Sequence, residues 1–411
     1  MTIAGAVAAL LPATALAAAD PQIDLTAPGA ANRASVEAMA TFLRTQARPV
    51  MTYPTPGQMG RWVLPDDRYT GVGGLFVETT AGGGLCTGSL LTPTLVLTAA
   101  HCLDFGPGVD VISARFFLPS YRRADGSLAG REIIWAAAYA LHPDWDYDAG
   151  VLGKGDLAVV SLRNPASPAR EIYDIYRGAD EIDNPSFQKV GTGTFGTGAL
   201  GNFDFDGRKR AGLNLYEFSW GDVLDAFFGL PPGASGCFLA DLFGMACTEI
   251  LTFDMDSGRA RNDVFGRYMG KPDLGRTLFG QSVEAMHAPG DSGGPVFIDG
   301  LIAGVASFGI TGAIFEGFCG KGSVDPSFSS DGFCTNFSWG EIGGDTRVAS
   351  YAPWIDSWRT VFEDPTRRPV LPSVWTPLFG VPEASTWAML ITGFGFVGLA
   401  ARRRRPGSAT A

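Results

Sequence analysis

Ser292 lies in "HAPGDSGGPVF", residues 287–297, between Asp291 and the pair Gly293–Gly294. Glycines there let another molecule approach the main chain closely, which suits a nucleophile ringed by N–H donors. Serine attacks poorly at neutral pH unless a base takes its proton, and histidine is the usual base. The chain has only three histidines, His101, His142 and His287. His101 stands in "LTAAHC", directly before a cysteine. The base in turn needs a carboxylate to orient its ring and stabilise the imidazolium. Asp156 in "KGDLAVVSL" opens an apolar strand and would point its carboxylate toward the interior. Each feature alone reads as structure: a tight turn, a histidine beside a cystine, a turn aspartate. Their order along the chain, His–Asp–Ser, turns them into one hypothesis, acyl transfer by an activated serine.

Such a constellation needs rigid elements to hold it. Residues 20–68 are mixed in character, with a short helix expected over 32–47, and read as a pro-segment or N-terminal arm. From Tyr69 the texture changes. "GGLFVETT", "GGLCTGSLLTPTLVLTAAHC", "VISARFFLP" and "REIIWAAAYAL" read as strands parted by turns. "GDLAVVSL" around Val159 reads as a strand buried on both faces, and a second β-rich stretch runs from about 186 to 347. Tyr351, Trp354, Ile355, Trp358 and Phe362 recur at helical spacing, with Ser350 as the expected N-cap. The fold class is therefore all-β with one short closing helix, followed by a Pro-rich linker over 363–380. With 55 glycines and 27 prolines, the chain leaves little room for long helices.

Taken together, "TAAHC", "GDLAVV" and "GDSGGP" make residues 69–362 resemble the trypsin-like (chymotrypsin-fold) serine proteases. "APGDSGGPVFIDGLIAGVASFG" is similar to that family's nucleophile loop and the pocket strand after it, and "GGDTRVASYAPWI" to its last strand and closing helix. The resemblance implies two packed antiparallel β-barrels. It implies His101 as general base, Asp156 as its orienting acid and Ser292 as nucleophile, with the N–H groups of Gly290 and Ser292 as oxyanion hole. It implies that the Ser307–Phe308–Gly309 strand pairs with substrate, and that Asp291 is the residue that receives a freed α-amino group on activation. The position at the base of the specificity pocket is Met286, not a carboxylate, so an apolar or small residue is expected before the cleaved bond rather than Arg or Lys. Ala288 replaces a cysteine common in the family. The long interval from Asp156 to Ser292 assigns 200–280 to loop insertions. The resulting expectation is a serine endopeptidase acting on protein or peptide. The alternative is a catalytically silent, protease-shaped envelope or matrix adhesion protein, which would be expected to have lost a triad member.

The ends and the cysteines speak to location. Residues 1–19 are apolar and offer a small-x-small cleavage site such as Ala15-Leu16-Ala17, as in a secretory signal. Six cysteines suit an exported chain. Many pairings are open, and the local couples Cys86/Cys102, Cys237/Cys247 and Cys319/Cys334 are the expected ones. In "VPEASTWAMLITGFGFVGLAARRRR" an apolar run from Trp387 to Ala401 ends in Arg402–Arg405. The run is short for a bilayer, and the arginines would stay cytoplasmic. Residues 381–405 resemble the PEP-CTERM sorting tail of Gram-negative bacteria through Pro382, Glu383, Trp387 and Ala388, although Ala384 stands where that motif has a second proline. The resemblance implies an exosortase-like partner, transient anchoring in the inner membrane and a final place in the envelope or outside the cell.

A formal charge of −11, spread along the chain, argues against nucleic acid as a partner. "GTGTFG" at 191–196 satisfies a dinucleotide-loop pattern, but "TGALGNFDFDG" cannot supply the helix that such a loop opens. "DFDGR" and "DMDSGRARND" alternate acids in a way that suggests calcium. Neither completes an EF-hand loop, and both read as solvated turns. No cofactor and no metal is expected.

Overall fold

The computed structural model describes residues 51–52, 63–64, 68–123, 125–182, 184, 186–273, 277–278, 281–282, 284–326 and 334–363. The expected signal (1–19), the helix at 32–47 and the tail at 381–405 lie outside them.

Six strands close the first barrel: β1 (Val72–Thr79), β2 (Gly82–Thr92), β3 (Leu95–Thr98), β4 (Val111–Leu118), β5 (Glu132–Leu141) and β6 (Ala158–Leu162). Their order around the barrel is β1-β2-β3-β6-β5-β4, and every neighbouring pair is antiparallel or closes the ring. Alternation explains the register. In β4 and in the first part of β5, buried residues alternate with more exposed ones, as expected of strands with one face on the core. β3 and β6 are buried throughout, which explains why their sequences are almost uniformly apolar.

The second sheet has seven strands: β7 (Phe187–Gly191), β8 (Arg210–Asn214), β9 (Phe218–Ser219), β10 (Ile250–Asp254), β11 (Pro295–Ile298), β12 (Leu301–Thr311) and β13 (Glu341–Arg347). Their order is β8-β7-β11-β12-β13-β10-β9. The sheet curls back on itself: the Asn214 amide at the end of β8 donates to the Asp254 carbonyl at the end of β10, at 2.7 Å. Its inner face packs Tyr216, Phe253, Val296 and Ala303, all fully buried. A two-residue piece of the arm, Met51–Thr52, pairs antiparallel with Met286–His287, and Val63 bridges Arg210.

Residues 200–280 are not loop insertions, as the sequence reading had it. They supply β8, β9 and β10, and they carry three helices: α1 (Trp220–Phe227), α2 (Phe238–Leu242) and α3 (Val264–Met269). Trp220, Val223 and Leu224 join Ile250, Phe265, Phe308 and Ile342 in one core cluster, so the segment is built into the second sheet rather than hung from it. α1 begins with a reciprocal cap, in which Ser219 accepts from the Asp222 N–H and Asp222 accepts from the Ser219 N–H. α3 stops at Gly270, whose φ of 74° ends the helix in the left-handed region.

The closing helix α4 (Ala352–Glu363) buries Trp354, Ile355, Trp358 and Phe362 against the first barrel's core. Ser350 is not its N-cap. It lies inside a 3-10 turn, Val348–Tyr351, that leads directly into α4, so the first helical N–H groups are met by the preceding turn.

Candidate active site

The base and the acid meet at the end of the first barrel. His101 occupies a 3-10 turn, Ala100–Cys102, straight after β3. Cys86 of β2 is disulfide-bonded to Cys102, which staples this turn to the barrel; closing a loop of that length contributes roughly 3 kcal/mol. The same bond consumes both sulfurs beside His101, so the grouping of Cys86, His101 and Cys102 offers no metal site. Asp156 precedes β6, the strand paired with β3, and this pairing sets the two residues side by side.

Asp156 is fully enclosed, and its carboxylate accepts three hydrogen bonds. His101 donates twice, from its main-chain N–H to Oδ1 at 3.0 Å and from ring Nδ1 to Oδ2 at 2.8 Å. Ser307 donates from its hydroxyl to Oδ2 at 2.5 Å. Burial alone would raise the pKa of Asp156, but the charge of His101 and the donors from His101 and Ser307 outweigh it and hold the group below the ordinary carboxylate range. With Nδ1 committed to the carboxylate, the ring's other nitrogen is free to take a proton. Nε2 of His101 is buried and has no hydrogen-bond partner among the described residues. Ser307 reaches Asp156 because β12 bulges against β13 between Ala306 and Phe308, which takes Ser307 out of the regular register.

Ser292 sits on a loop clamped from the opposite side. Its carbonyl accepts from the Thr87 N–H of β2 at 2.7 Å, and Gly293 donates to Ala306 of β12 at 2.8 Å. A Cβ on Gly293 would fall 2.0 Å from Thr98 Oγ1 and 2.8 Å from the Ala99 nitrogen, in the segment leading to His101. The Ser292 loop therefore packs against the His101 turn with no space for a side chain at Gly293, whose φ is +78°. Gly290 has a φ of +93°. Among the described residues the N–H groups of Gly290 and Ser292 meet no protein acceptor, unlike those of Asp291, Gly293 and Gly294. The Ser292 hydroxyl and His101 Nε2 are not joined by a hydrogen bond; in the absence of substrate such contacts are commonly long.

Asp291 is buried, and Lys189 and Arg210 act on its charge only from a distance. Its carboxylate accepts from Gly193 N at 2.8 Å and from Ala288 N at 2.7 Å. Burial pushes its pKa well up against those donors. Gly193 belongs to "GTGTFG", the stretch set aside as a false dinucleotide loop. A Cβ on Gly193 would lie 2.4 Å from the Pro289 carbonyl and 2.6 Å from the Asp291 nitrogen. Thr194 N also donates to the Pro289 carbonyl, at 2.7 Å. This loop is thus the platform beneath Ser292, a role that composition alone did not suggest. The signal lay in its glycines, read against the wrong partner.

The residues expected to line a specificity pocket are more enclosed than the sequence implied. Met286 is completely buried, and a Cβ on Gly309 would lie 2.4 Å from its Cε and 2.8 Å from the Phe337 ring. Met286 and Phe337 thus fill the space beside Gly309. Phe308 turns its ring onto Trp220, edge to face at 5.4 Å, and its carbonyl accepts from His287 Nε2 at 2.7 Å. His287 is structural: its other nitrogen accepts from Lys189, whose ammonium also bonds Asp345 at 2.6 Å. Burial lowers the pKa of His287 well below that of free histidine and lowers that of Lys189 to about 8, against the pull of Asp345. His142, the third histidine, packs edge-on against Tyr351 and Trp354.

The three disulfides are Cys86–Cys102, Cys237–Cys247 and Cys319–Cys334, and no described cysteine is free. One of the two acidic turns differs from its sequence reading. Residues 204–208 are exposed, whereas Asp254, Asp256 and Asp263 of "DMDSGRARND" are all buried. They are enclosed by β10, α3 and the segment before Met286, which a local acidic pattern could not reveal.

The model of the trypsin family matches residues 69–209, a span that contains His101 and Asp156. No curated protein matches the chain. Among solved structures, an HL collagenase is 18% identical with a TM-score of 0.45, over 73% of this chain and 97% of that one. Neuropsin, a serine protease expressed in the limbic system of mouse brain, is 17% identical with a TM-score of 0.44, over 72% and 98%. Residues 69–209 of this chain, the first barrel and the start of the second sheet, are thus similar to the trypsin family.

Proposed function

We propose that the chain is an exported serine endopeptidase. Ser292 attacks the scissile carbonyl, His101 takes the proton and returns it to the leaving amine, and Asp156 holds His101 in the required tautomer. The N–H groups of Gly290 and Ser292 receive the oxyanion, an interaction that typically contributes roughly 3–4 kcal/mol per donor to the transition state. One observation carries this reading: the buried Asp156 carboxylate fixes His101 Nδ1 at 2.8 Å, while Nε2 has no hydrogen-bond partner among the described residues. Labelling with a fluorophosphonate tests it directly. A chain that binds no label at Ser292 would be the silent, adhesion-type relative instead.

Cleavage after apolar or small residues follows from Met286 and Phe337, whose apolar side chains fill the space beside Gly309. In a peptide library we expect such residues to dominate before the cut bond, with weak cleavage after Arg or Lys. A strong Arg/Lys preference would mean that an acid from another segment reaches the pocket, and would overturn the assignment.

Location is proposed from sequence. The signal at 1–19 exports the chain, and the tail at 381–405 holds it at the inner membrane, with Arg402–Arg405 inside, until an exosortase-like enzyme cuts near Pro382-Glu383. Intact mass of the mature protein from its native host decides this. A mature form that still carries the four arginines would leave only a simple anchor.

A further inference from the structure

The second sheet contains a group of carboxylates that the proposed peptidase chemistry does not use. Asp254 ends β10, and Asp256 and Asp263 lie on the loop from β10 to α3. Glu217, just before β9, and Asp273, after α3, complete the group. Oxygens of Asp254, Asp256 and Asp263 lie within 4.8 Å of one another, as do those of Glu217, Asp254 and Asp273. Asp254 is common to both sets. Exposure is 1% for Asp254, 0% for Asp256 and 2% for both Asp263 and Glu217. Burying this much negative charge is costly unless something compensates it.

Part of each central carboxylate is satisfied by the main chain, and part is not. Asp254 Oδ2 accepts from the N–H groups of Val264 and Phe265 at 2.7 and 3.1 Å. Glu217 Oε2 accepts from the Asp254 N–H at 3.3 Å. These bonds fix the two side chains and leave Asp254 Oδ1 and Glu217 Oε1 buried with no N–H or hydroxyl donor among the described residues, the two carboxyl groups facing one another. The nearby ammonium of Lys271 is spent elsewhere, on the Glu217 carbonyl at 3.0 Å and over the Phe218 ring. With only acids around them, Asp254 is pushed up to about 7 and Glu217 well above the usual range, by burial first and by neighbouring carboxylates second.

From this geometry we infer a calcium site centred on Asp254, with Glu217, Asp256 and Asp263 as further carboxylate ligands and Asp273 at its edge. The donors are all hard oxygens, with no histidine or cysteine among them, which disfavours zinc and copper. Oxygens bound to one Ca²⁺ at about 2.3–2.6 Å can be at most about 5 Å apart, and the oxygens within each of the two sets that share Asp254 meet that limit. Mg²⁺ keeps several waters and a strict octahedron, which a closed, irregular cage of side chains does not offer. The loop is braced to hold its shape: Gly258 turns the chain at a φ of +77°, and Asn262 donates to the Val324 carbonyl at 2.8 Å. It is also tied toward the reactive loop, because the Asp256 N–H donates to Glu284 at 2.7 Å in the segment leading through Met286 to Ser292. Calcium would therefore stiffen both the second sheet and the approach to the nucleophile.

The test uses the purified full chain and does not depend on its catalytic activity. After stripping with a chelator, CaCl2 or MgCl2 is added, thermal unfolding is followed, and bound metal is counted by mass spectrometry. We expect calcium to remain bound after dialysis and to raise Tm by about 4 °C at 100 times Kd for a body of this size, with a much weaker response to magnesium. Asp254→Asn and Glu217→Gln should each lose the calcium response. Asp206→Asn, in the exposed turn, should keep the response. Absence of both bound calcium and a Tm shift at millimolar CaCl2 would overturn the site. So would a full calcium response in both cluster variants.

Discussion

Replacing Ser292 with alanine is expected to abolish fluorophosphonate labelling and to cut kcat for a cleavable peptide by about 10⁶-fold. Thermal unfolding should hardly move. The loop is held through its main chain, by the Ser292 carbonyl on Thr87, Gly293 on Ala306 and the Asp291 carboxylate on Gly193 and Ala288, and none of these contacts involves the Ser292 hydroxyl. Because members of a triad act as a unit, His101→Ala should cost nearly as much, and the double variant little more than either. Ser307 is the other serine close to Asp156, but its hydroxyl already donates to that carboxylate and it has no base of its own. Labelling that survives in Ser292→Ala would sink the assignment of the nucleophile.

The first barrel was legible because its strands alternate or run apolar in short stretches bounded by glycine and proline, and because one face of α4 repeats aromatic and aliphatic residues at helical spacing. The segment 200–280 was not. Its strands β8 to β10 are short, and their partners lie outside the local pattern: Ile250 pairs with Thr346, Phe187 with Asn214 and Ser219 with Leu251. Local pattern carries no record of such pairings, so glycine-rich linkers and short strands look alike. The same limit applies at the site. His101, Asp156 and Ser292 announce themselves by neighbours in sequence, whereas Gly193 matters only because Asp291 folds onto it. The acidic stretch at 254–263 reads as solvated until β10, α3 and Glu284 close around it.

Asp156→Asn separates an orienting carboxylate from a merely buried one. An asparagine at this position presents an N–H₂ that cannot accept from His101 Nδ1. The ring is then driven to the tautomer with its proton on Nε2, where it can no longer take one from Ser292. The expected loss is about 10⁴-fold in kcat with little change in KM, because the carboxylate orients the base and need not touch the substrate. Ser307→Ala gives a graded version of the same test. The folded pKa of Asp156 is held down, so its contribution is present above its unfolded pKa and is lost as pH falls through the folded value. Removing the Ser307 donor leaves burial less opposed and raises that folded value. The carboxylate's contribution to stability above its unfolded pKa should therefore be smaller in Ser307→Ala than in the parent, and the loss of stability on acidification correspondingly shallower. Measured pH profiles of unfolding and of kcat for the two variants decide the matter. An Asp156→Asn enzyme within about tenfold of the parent in kcat would show that His101 is oriented by something other than this carboxylate.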